Sequence, residues 1–482
     1  MKKSVAVTTG VIIVAVGGWL AGTWYTGQRI ETESQTRLNE INAQLAAAFP
    51  EFPVRINQLK LERGFFTSQA RYGVEVGKSE ETGKPEATVE VDARIEHGPF
   101  APGALARGKL MPQLAFVHAE VANTEDLKKV FEVTKGATPL WSDTVVAYNG
   151  DSTSTGGLAA IDYSGDEGKF AFSGATFDGS YQRATQAAIG SLKADSLALD
   201  ASADDDGGPL LFTLDGLAVT VDSRMGKSGL SIGDSALSVK RLEVKQPEGD
   251  AHLTVADMAY AARIGEQDEF INGEISYGAG EITYNGIALG NGRAVFKAER
   301  LNAAAIKVVA DEYNKAIKLQ AEGKDPVPDN AEMRKLLMAQ ADTLLAGKPV
   351  LTLDPVQWKT AQGESVFNAR VALSKPASSD LMAVDYFSQA IESIDASATL
   401  SKPMIKALMV GYLQSQEGMD AQQAAAAADQ QVSSLAGMAE MMNLGKNEGD
   451  NIVSKFHYAA GTVDLNGRKM PADQLLGSIL GG

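Results

Sequence analysis

The sequence predicts an α+β protein with an N-terminal transmembrane helix, an extended antiparallel, meander-like β-sheet, and covering helices mainly in the C-terminal half. An uncharged apolar run opens the chain, strand-like alternation continues from residue 54 to about residue 300, and helical spacing returns after residue 301. The expected divisions are a membrane anchor at 1–26, a juxtamembrane helix at 27–53, a β-rich region at 54–300, and a mixed region at 301–482 that packs on the sheet.

The first segment, Ser4 to Tyr25, has the length and composition of a membrane span. It contains no charged side chain, and Trp19 and Trp24 lie near its far end, as aromatic residues do at a headgroup boundary. A cleaved signal peptide is the alternative, but its apolar core is shorter, roughly 7–15 residues, and is followed by a small-residue cleavage site. The sequence therefore favours an uncleaved anchor.

Two features orient the span. Lys2 and Lys3 lie directly at the start of the span, whereas Arg29 and Arg37 lie close behind it and make the count of positive charges nearly level. The 482-residue chain also has no cysteine, which suits an oxidising compartment where stray thiols would cross-link. We therefore expect the start of the chain in the cytoplasm and the bulk of it in the periplasm.

The acidity of the chain restricts its partners. The formal net charge is −17, and such a field repels phosphate backbones. Nucleic acid is therefore not an expected partner, and solubility of an exported protein accounts for the excess of carboxylates.

After the span, residues 27–53 show the spacing of a helix with one narrow apolar stripe. Ile30, Leu38 and Ile41 lie on this stripe, and Pro50 and Pro53 end the helix. The stripe can pack on the following sheet or contact a partner, so its three residues are candidates for a partner surface.

The β-rich region alternates apolar and polar residues, as in the stretch from Val89 to Glu96. Turn pairs separate such stretches, among them Asn149-Gly150, Asp178-Gly179 and Asn285-Gly286, which accept the positive φ angles of tight hairpins. The sequence therefore predicts strands that follow one another as a meander with a single covered side.

Helical periodicity marks residues 301–320, 329–345 and 402–442. The last segment ends with Met438, Met441 and Met442. Methionines fill irregular cores and also line apolar grooves, so these three residues are a second candidate partner surface.

Known catalytic and metal-binding patterns are absent from the sequence. The four histidines, His97, His118, His252 and His457, form no HExxH pattern, and neither a GxSxG elbow nor a P-loop occurs. The acidic run at 204–206 lacks the ligand spacing of an EF-hand and fits a hairpin turn better than a calcium site. The sequence therefore predicts no catalytic residue, no cofactor and no metal, and a protein that is not an enzyme.

Two short motifs have a structural and a functional interpretation. Arg63-Gly64-Phe65-Phe66 fits a strand whose adjacent aromatics point to opposite faces. His97-Gly98-Pro99-Phe100 fits a turn held by a core phenylalanine, and an imidazole beside a turn could also bind a ligand. The structural interpretation is favoured for both.

These motifs belong to a longer series. It also contains the span ending in Trp24-Tyr25-Thr26-Gly27, Tyr148-Asn149-Gly150-Asp151-Ser152, Trp358 with Gly363-Glu364-Ser365, and Leu465-Asn466-Gly467. In order and spacing the chain resembles the YdgA family of bacterial proteins over nearly its whole length. The resemblance implies a single-span inner-membrane protein with a periplasmic body and no established activity, and it assigns no catalytic residue.

The favoured functional hypothesis is a non-enzymatic envelope protein that binds lipid or an envelope partner on an apolar sheet face. The alternative is a scaffolding protein that forms a homo-oligomer or docks a partner through its helices. Ile30, Leu38, Ile41 and the Met438 to Met442 surface would carry that contact. Enzyme activity involving His97 is a third, weaker hypothesis.

Overall fold

The computed structural model describes residues 54–474 except 65, 78–84, 99, 166–167, 202–209, 247–250, 322–329, 377–388 and 473, together with residues 38, 39, 42 and 45. Most of these residues lie in strands. The strands are β1 Val54–Arg63, β2 Thr67–Val76, β3 Ala87–His97, β4 Ala115–Val121, β5 Leu140–Val146, β6 Ser152–Leu158, β7 Ile161–Gly165, β8 Gly168–Phe172, β9 Ala175–Gln182, β10 Ala187–Ala201, β11 Leu210–Met225, β12 Ser231–Gln246, β13 Ala251–Gln267, β14 Phe270–Tyr284, β15 Ile287–Asn302, β16 Val350–Thr360, β17 Gly363–Leu373, β18 Ile391–Ser401, β19 Lys446–Glu448, β20 Asn451–Ala459, β21 Thr462–Leu465 and β22 Arg468–Pro471. The α-helices are α1 Pro102–Ala106, α2 Lys128–Val133, α3 Ala303–Ala321, α4 Asn330–Ala346, α5 Lys402–Gln416 and α6 Ala421–Met441, and a 3-10 turn spans Glu125–Leu127.

The predicted α+β class is wrong. The described part of the chain is a large antiparallel sheet of 22 strands with few helices. Strands β10 to β15 are each 15–17 residues long, and β16 to β22 continue the strand content beyond residue 301. The helices do not cover this sheet as predicted, because large apolar side chains on several strands remain exposed.

Two of the predicted hairpin turns are confirmed. Asn149-Gly150 joins β5 to β6, and Asn285-Gly286 joins β14 to β15 with φ angles of 48° and 79°. The predicted turn at Asp178-Gly179 is wrong, because both residues lie inside β9 and pair with Ser191 and Gly190 of β10. An Asp-Gly pair is compatible with a turn but does not force one.

The predicted membrane span, Ser4 to Tyr25, lies outside the described residues, as does most of the predicted helix at 27–53. Among the residues that the structure does describe, no helix has both the length and the apolar character needed to cross a membrane. Ile30, Ile41, Phe65 and Pro99 also lie outside the described residues.

The first compact unit contains the described residues of Met1–Asp200, Asp215–Met225 and Val308–Arg334. Strands β1 to β6 pair as an antiparallel meander, β9 pairs with both β6 and β10, and β7 with β8 forms a hairpin inserted between β6 and β9. One face of this sheet carries a closed core.

Helical residues complete that core. Leu38 and Leu45 are buried against side chains of β1 to β4, and the amide of Asn42 exchanges two hydrogen bonds with the backbone of Ile56, at 2.8 and 3.0 Å. The Asn42 side chain thereby satisfies backbone groups on β1 that the sheet leaves open.

The second unit contains Ala201–Leu214, Gly226–Lys307 and Lys335–Gly482, again for the described residues. Strands β12 to β18 pair consecutively as an antiparallel meander, and β20, β21 and β22 extend it from β18. Helices α5 and α6 follow β18 and start at side-chain caps: Ser401 accepts from the Met404 amide, and Asp420 accepts from two amides of the first turn of α6.

Candidate functional site

The second unit carries an apolar sheet face that its strand registers define. Directly paired residues of neighbouring antiparallel strands point to the same face, so each register continues a row of side chains across the sheet. Three adjacent rows form what we call the apolar face. They are Leu237, Tyr260, Tyr277, Ala294, Val356, Phe367 and Ala398; Ala262, Ile275, Phe296, Leu353, Ala369, Ala396 and Phe456; and Ile264, Gly273, Ala298, Leu351, Val371, Ile394 and Tyr458.

This face is open. Tyr277 is 56% exposed, Ile264 44%, Phe367 40% and Phe296 39%, although side chains of this size are normally buried in a protein core. The three rows contain no charged residue. A contiguous exposed apolar surface of this kind is typical of a binding site for an apolar ligand or partner.

Trp358 lies on the same side of the sheet, two residues beyond Val356 on β16. Its ring nitrogen donates a 2.7 Å hydrogen bond to the carbonyl of Leu289. The bond satisfies the indole donor and fixes the ring at the margin of the apolar face.

The opposite face of the same sheet is charged. A single row crosses ten strands, and we call it the charge ladder: Asp234, Arg263, Glu274, Lys297, Thr352, Arg370, Asp395, His457, Asp464 and Lys469. Apart from Thr352, acidic and basic side chains alternate along it. Because its side chains are charged, this face favours contact with water, and because the charges alternate, it is locally neutral.

Three neighbouring pairs of the charge ladder are in direct contact. Arg263 contacts Asp234 at 2.6 Å, Lys297 contacts Glu274 at 3.3 Å, and His457 Nδ1 lies 2.6 Å from Asp395 Oδ1. The hydrogen bond that Arg263 donates to Asp234 raises the pKa of its guanidinium further above its already high value.

A concave pocket of about 640 Å³ opens on this charged face. Its lining includes the acids Asp354, Asp395, Glu448 and Asp464, together with Arg370, Lys446, Lys455 and His457. The lining also includes Leu353, Ala369, Ala396 and Phe456, which alternate with the charged residues along their strands, so the pocket presents apolar as well as polar groups. Within the described residues, no group of three or more histidine, aspartate or glutamate side chains could hold a metal ion.

The first unit brings the two short motifs together. The amide of His97 donates to the Phe66 carbonyl at 2.8 Å, and His97 Nε2 lies 3.0 Å from the hydroxyl of buried Ser68. This position of His97 fits the structural interpretation, because the imidazole holds neighbouring strands together. Phe100, expected in the core, is instead 55% exposed.

Gly98 shows why its motif needs glycine. A Cβ at this position would lie 1.8 Å from the carbonyl oxygen of Gln113, and the Gly98 amide donates to Leu114 at 2.8 Å. The backbone of the loop therefore approaches more closely than any side chain permits. Gly64 is similar, since a Cβ there would lie 2.3 Å from the Thr67 carbonyl oxygen.

A buried carboxylate fastens the loop that follows. Asp143 of β5 contacts both Arg107, at the end of α1, and His118 Nδ1, the latter at 2.7 Å. The hydrogen bond to Asp143 raises the pKa of His118, and the negative charges of Asp143 and Glu120 add to this effect against partial burial. The cluster holds α1 against the sheet.

The candidate partner residues occupy different environments. Leu38 is buried in the core of the first unit, so it does not form a free surface. Met438, Met441 and Met442 are exposed at the end of α6, whose buried stripe consists of Ala424, Ala428, Val432 and Ala436.

The sequence interpretation missed most of the apolar face. Tyr277, Phe296 and Phe367 each lie in a stretch where apolar and polar residues partly alternate, and this alternation is the signal that could have identified them. Assigning these three residues to one surface required the registers of three strand pairs, β14–β15, β15–β16 and β16–β17, and no local pattern supplies those.

Comparison with known proteins agrees with this description. Residues 1–473 match the family described as "Bacterial protein of unknown function (DUF945)". The chain is 28% identical to Protein YdgA of Escherichia coli strain K12, covering 99% of this chain and 96% of that one. It is 24% identical to the uncharacterized protein YihF of the same strain over 97% of each chain.

A shorter match is an uncharacterized protein of Haemophilus influenzae, 24% identical over 36% of this chain and 46% of the relative. No solved structure matches the chain. The family match covers nearly the whole sequence and confirms the resemblance noted from the motifs. The chain therefore belongs to the DUF945 family of bacterial proteins of unknown function.

Proposed function

We propose that this protein is a non-enzymatic, membrane-anchored envelope protein whose second unit binds the acyl chain of a lipid on the apolar face. The observation that carries the proposal is the set of three uncharged rows across β12 to β18, whose aromatic and aliphatic side chains are exposed. Leaving such a surface in water is unfavourable, and covering it contributes about 25 cal/mol for each Å² of apolar area.

The chemistry of the face favours hydrocarbon as the occupant. Its only polar side-chain groups are the hydroxyls of Tyr260, Tyr277 and Tyr458. A protein partner normally finds charged or hydrogen-bonding groups at the rim of an interface. On this side of the sheet Ser235, Ser454 and Glu266 lie at the ends of the rows, and the charge ladder lies on the opposite side. Each methylene of an acyl chain that leaves water on this face would contribute about 0.8 kcal/mol.

The proposed location in the bacterial inner membrane, with the bulk of the chain in the periplasm, is supported by the sequence. The uncharged run from Ser4 to Tyr25 is long enough to span a bilayer, with Lys2 and Lys3 on one side. A membrane anchor would also place the apolar face close to a source of lipid.

Photocrosslinking from opposite faces of one strand tests the proposal. A benzophenone amino acid replaces Phe367 on the apolar face or its neighbour Asn368 on the charged face, in the full chain within native membranes. Lipid adducts, identified by mass spectrometry, are expected from position 367 and not from position 368. Equal labelling at both positions, or protein adducts alone at 367, would contradict acyl-chain binding.

A loss-of-binding variant complements the crosslinking. Tyr277→Asp with Phe367→Asp places two carboxylates on the apolar face, and binding an acyl chain there would require desolvating them. We expect co-purifying lipid to fall by about tenfold or more, because two charges cost several kcal/mol. Thr352→Asp with Asn368→Asp is the matched control on the charged face, and an equal loss there would oppose the proposal.

A second candidate function is scaffolding through self-association. The observation that favours it is the exposed group Leu435, Met438, Met441, Met442 and Leu444 at the end of α6. If a second copy covers this group, Met438→Ser with Met441→Ser should convert an oligomer to a monomer in light scattering of the detergent-solubilised chain. A monomeric parent chain would exclude this function.

A further inference from the structure

The end of the first unit where the two motifs meet presents a second exposed apolar surface. Phe66, Phe100, Leu110 and Met111 are 73%, 55%, 75% and 73% exposed. We call this surface the aromatic end. It belongs to a different unit from the apolar face described above and has no part in the proposed acyl-chain site.

Backbone hydrogen bonds bring these side chains to one end of neighbouring strands. The His97 amide bonds to the Phe66 carbonyl, which places the β1–β2 turn beside the end of β3. The Gly98 amide bonds to Leu114, and the Leu114 amide bonds to Val146, so the loop from β3 to β4 closes at the same end. The exposed residues therefore form a group and are not scattered over the surface.

The loop that carries this surface is well fastened. Ala101 and Ala104 are buried against Phe116 and Val145, and the Gly103 amide donates to Glu96 at 2.8 Å. Arg107 contacts Asp143 and lies 4.6 Å from the centre of the Phe116 ring. Since the loop uses its small residues for packing, its large apolar side chains point outward from a fixed base.

The charge of the loop differs from that of the whole chain. Residues 100–114 contain Lys109 and Arg107, which pairs with Asp143, and no acidic residue, although the chain carries a net charge of −17. At the nearby turn Arg63 is exposed beside Glu62. Protruding apolar side chains flanked by basic ones fit the headgroup region of an anionic bilayer, where the apolar groups enter the acyl boundary and the cations remain outside.

We propose that the aromatic end inserts into the interfacial region of the anionic phospholipid bilayer that carries the chain. The proposal rests on the anchor included in the proposed function. Leu38, which packs in the core of the first unit, lies 13 residues after Tyr25, so this core is within about 45 Å of the end of the predicted span even if the linking chain is fully extended.

Fluorescence in nanodiscs tests the proposal, because a chain with no native cysteine can be labelled at one chosen site. The full chain carrying Leu110→Cys, labelled with an environment-sensitive dye, is reconstituted in discs of phosphatidylethanolamine and phosphatidylglycerol that contain brominated lipid. We expect quenching of the dye and a blue shift, and both should weaken in discs of phosphatidylcholine that contain the same fraction of brominated lipid.

Tyr163→Cys is the matched control. Tyr163 is an exposed apolar residue of the β7–β8 hairpin, which follows the opposite end of β6 and lies beside acidic Asp162. Its label should show no quenching. In the Leu110→Cys background, Lys109→Glu should weaken lipid contact more than fivefold, because it removes one positive charge, worth about fivefold near an anionic surface, and adds a repelled negative charge, whereas Lys135→Glu should not.

The outcomes separate the two proposals. A chain that does not co-elute with the discs would contradict the anchor. Co-elution without quenching at position 110, or equal quenching at 110 and 163, would overturn insertion of the aromatic end and leave acyl-chain binding by the second unit untouched. Quenching that is insensitive to lipid charge and to Lys109→Glu would contradict the role of the basic residues. A blue shift without bromine quenching would mean that the label is buried against protein and would also overturn insertion.

Discussion

The two units use similar antiparallel sheets in opposite ways. In the first unit, the apolar sides of β1 to β4 are buried, and Leu38 and Leu45 help to close the core. In the second unit, the apolar sides of β12 to β18 form continuous rows that remain partly exposed. A sheet with one apolar face can therefore serve either as half of a core or as a binding surface, depending on whether another element covers it.

The largest difference between the two sheets is expected when one apolar side chain is truncated in each unit. Ile95→Ala removes a side chain that is fully packed in the first unit, and we expect a loss of about 2–4 kcal/mol in unfolding free energy. Phe367→Ala removes a partly exposed ring from the second unit, and we expect a loss below about 1.5 kcal/mol because little burial is forfeited.

Hydrogen exchange on the full-length chain measures both effects, since peptides from β2–β4 and β16–β18 report on the two units separately. Ile95→Val is a useful control because it keeps most of the packing and should cost about 1 kcal/mol. Similar losses for Ile95→Ala and Phe367→Ala would show that the second unit has a closed core after all.

A pair of glycine substitutions tests the same difference between the units at the backbone. Gly98→Ala in the first unit forces a Cβ against the Gln113 carbonyl oxygen, and we expect a loss of about 1–3 kcal/mol. Gly273→Ala in the second unit adds a methyl group to the apolar face with nothing within 4 Å, and we expect a gain of about 0.5 kcal/mol from reduced freedom of the unfolded chain.

Hydrogen exchange of backbone amides in β3–β4 and in β13–β14 measures these two changes in unfolding free energy. A destabilising Gly273→Ala would mean that another group occupies the space over the apolar face. That result would be equally informative, because acyl-chain binding requires the same space.

Local patterns predicted the strands better than their faces. Alternation and the Asn-Gly pairs at 149–150 and 285–286 correctly predicted an antiparallel meander, because both signals act over a few residues. On β16, an irregularity lies between Leu353 and Val356, which pair with Ala369 and Phe367 and so lie on one face. Strict alternation would place them on opposite faces, so the apolar rows could not be read from the sequence.

The candidate sites also depend on long-range placement. The contact of Ser68 with His97 joins residues on separate strands, and exposure of Phe100 reflects how the loop closes on Leu114. Neither follows from the motifs themselves. The predicted helical cover failed for a related reason: spacing identifies an apolar stripe but does not say which surface the stripe will bury.

The smallest expected effect concerns the pH dependence of the first unit. The folded pKa of His118 is raised above its ordinary value of 6.5, chiefly by the hydrogen bond to Asp143. This interaction stabilises the fold fully below pH 6.5, where His118 is protonated in both states, and the stabilisation is lost as the pH rises through the raised pKa. The second unit has histidine–carboxylate pairs of its own, His252 with Glu243 and His457 with Asp395, so the reference for this effect is the His118→Gln variant and not the second unit.

We therefore expect the urea midpoint for unfolding of β3–β5 to be slightly higher at about pH 6 than at about pH 8.5. The difference is small because the imidazole is partly exposed. Hydrogen exchange after brief dilution measures this midpoint. His118→Gln should flatten the difference, and Asp143→Asn should do the same by removing the carboxylate that raises the pKa. A difference that persists in both variants would assign the pH dependence to other groups. Since Arg107 shares Asp143, the Asp143→Asn variant should also loosen the loop at 100–114, and increased exchange there would tie this cluster to the aromatic end.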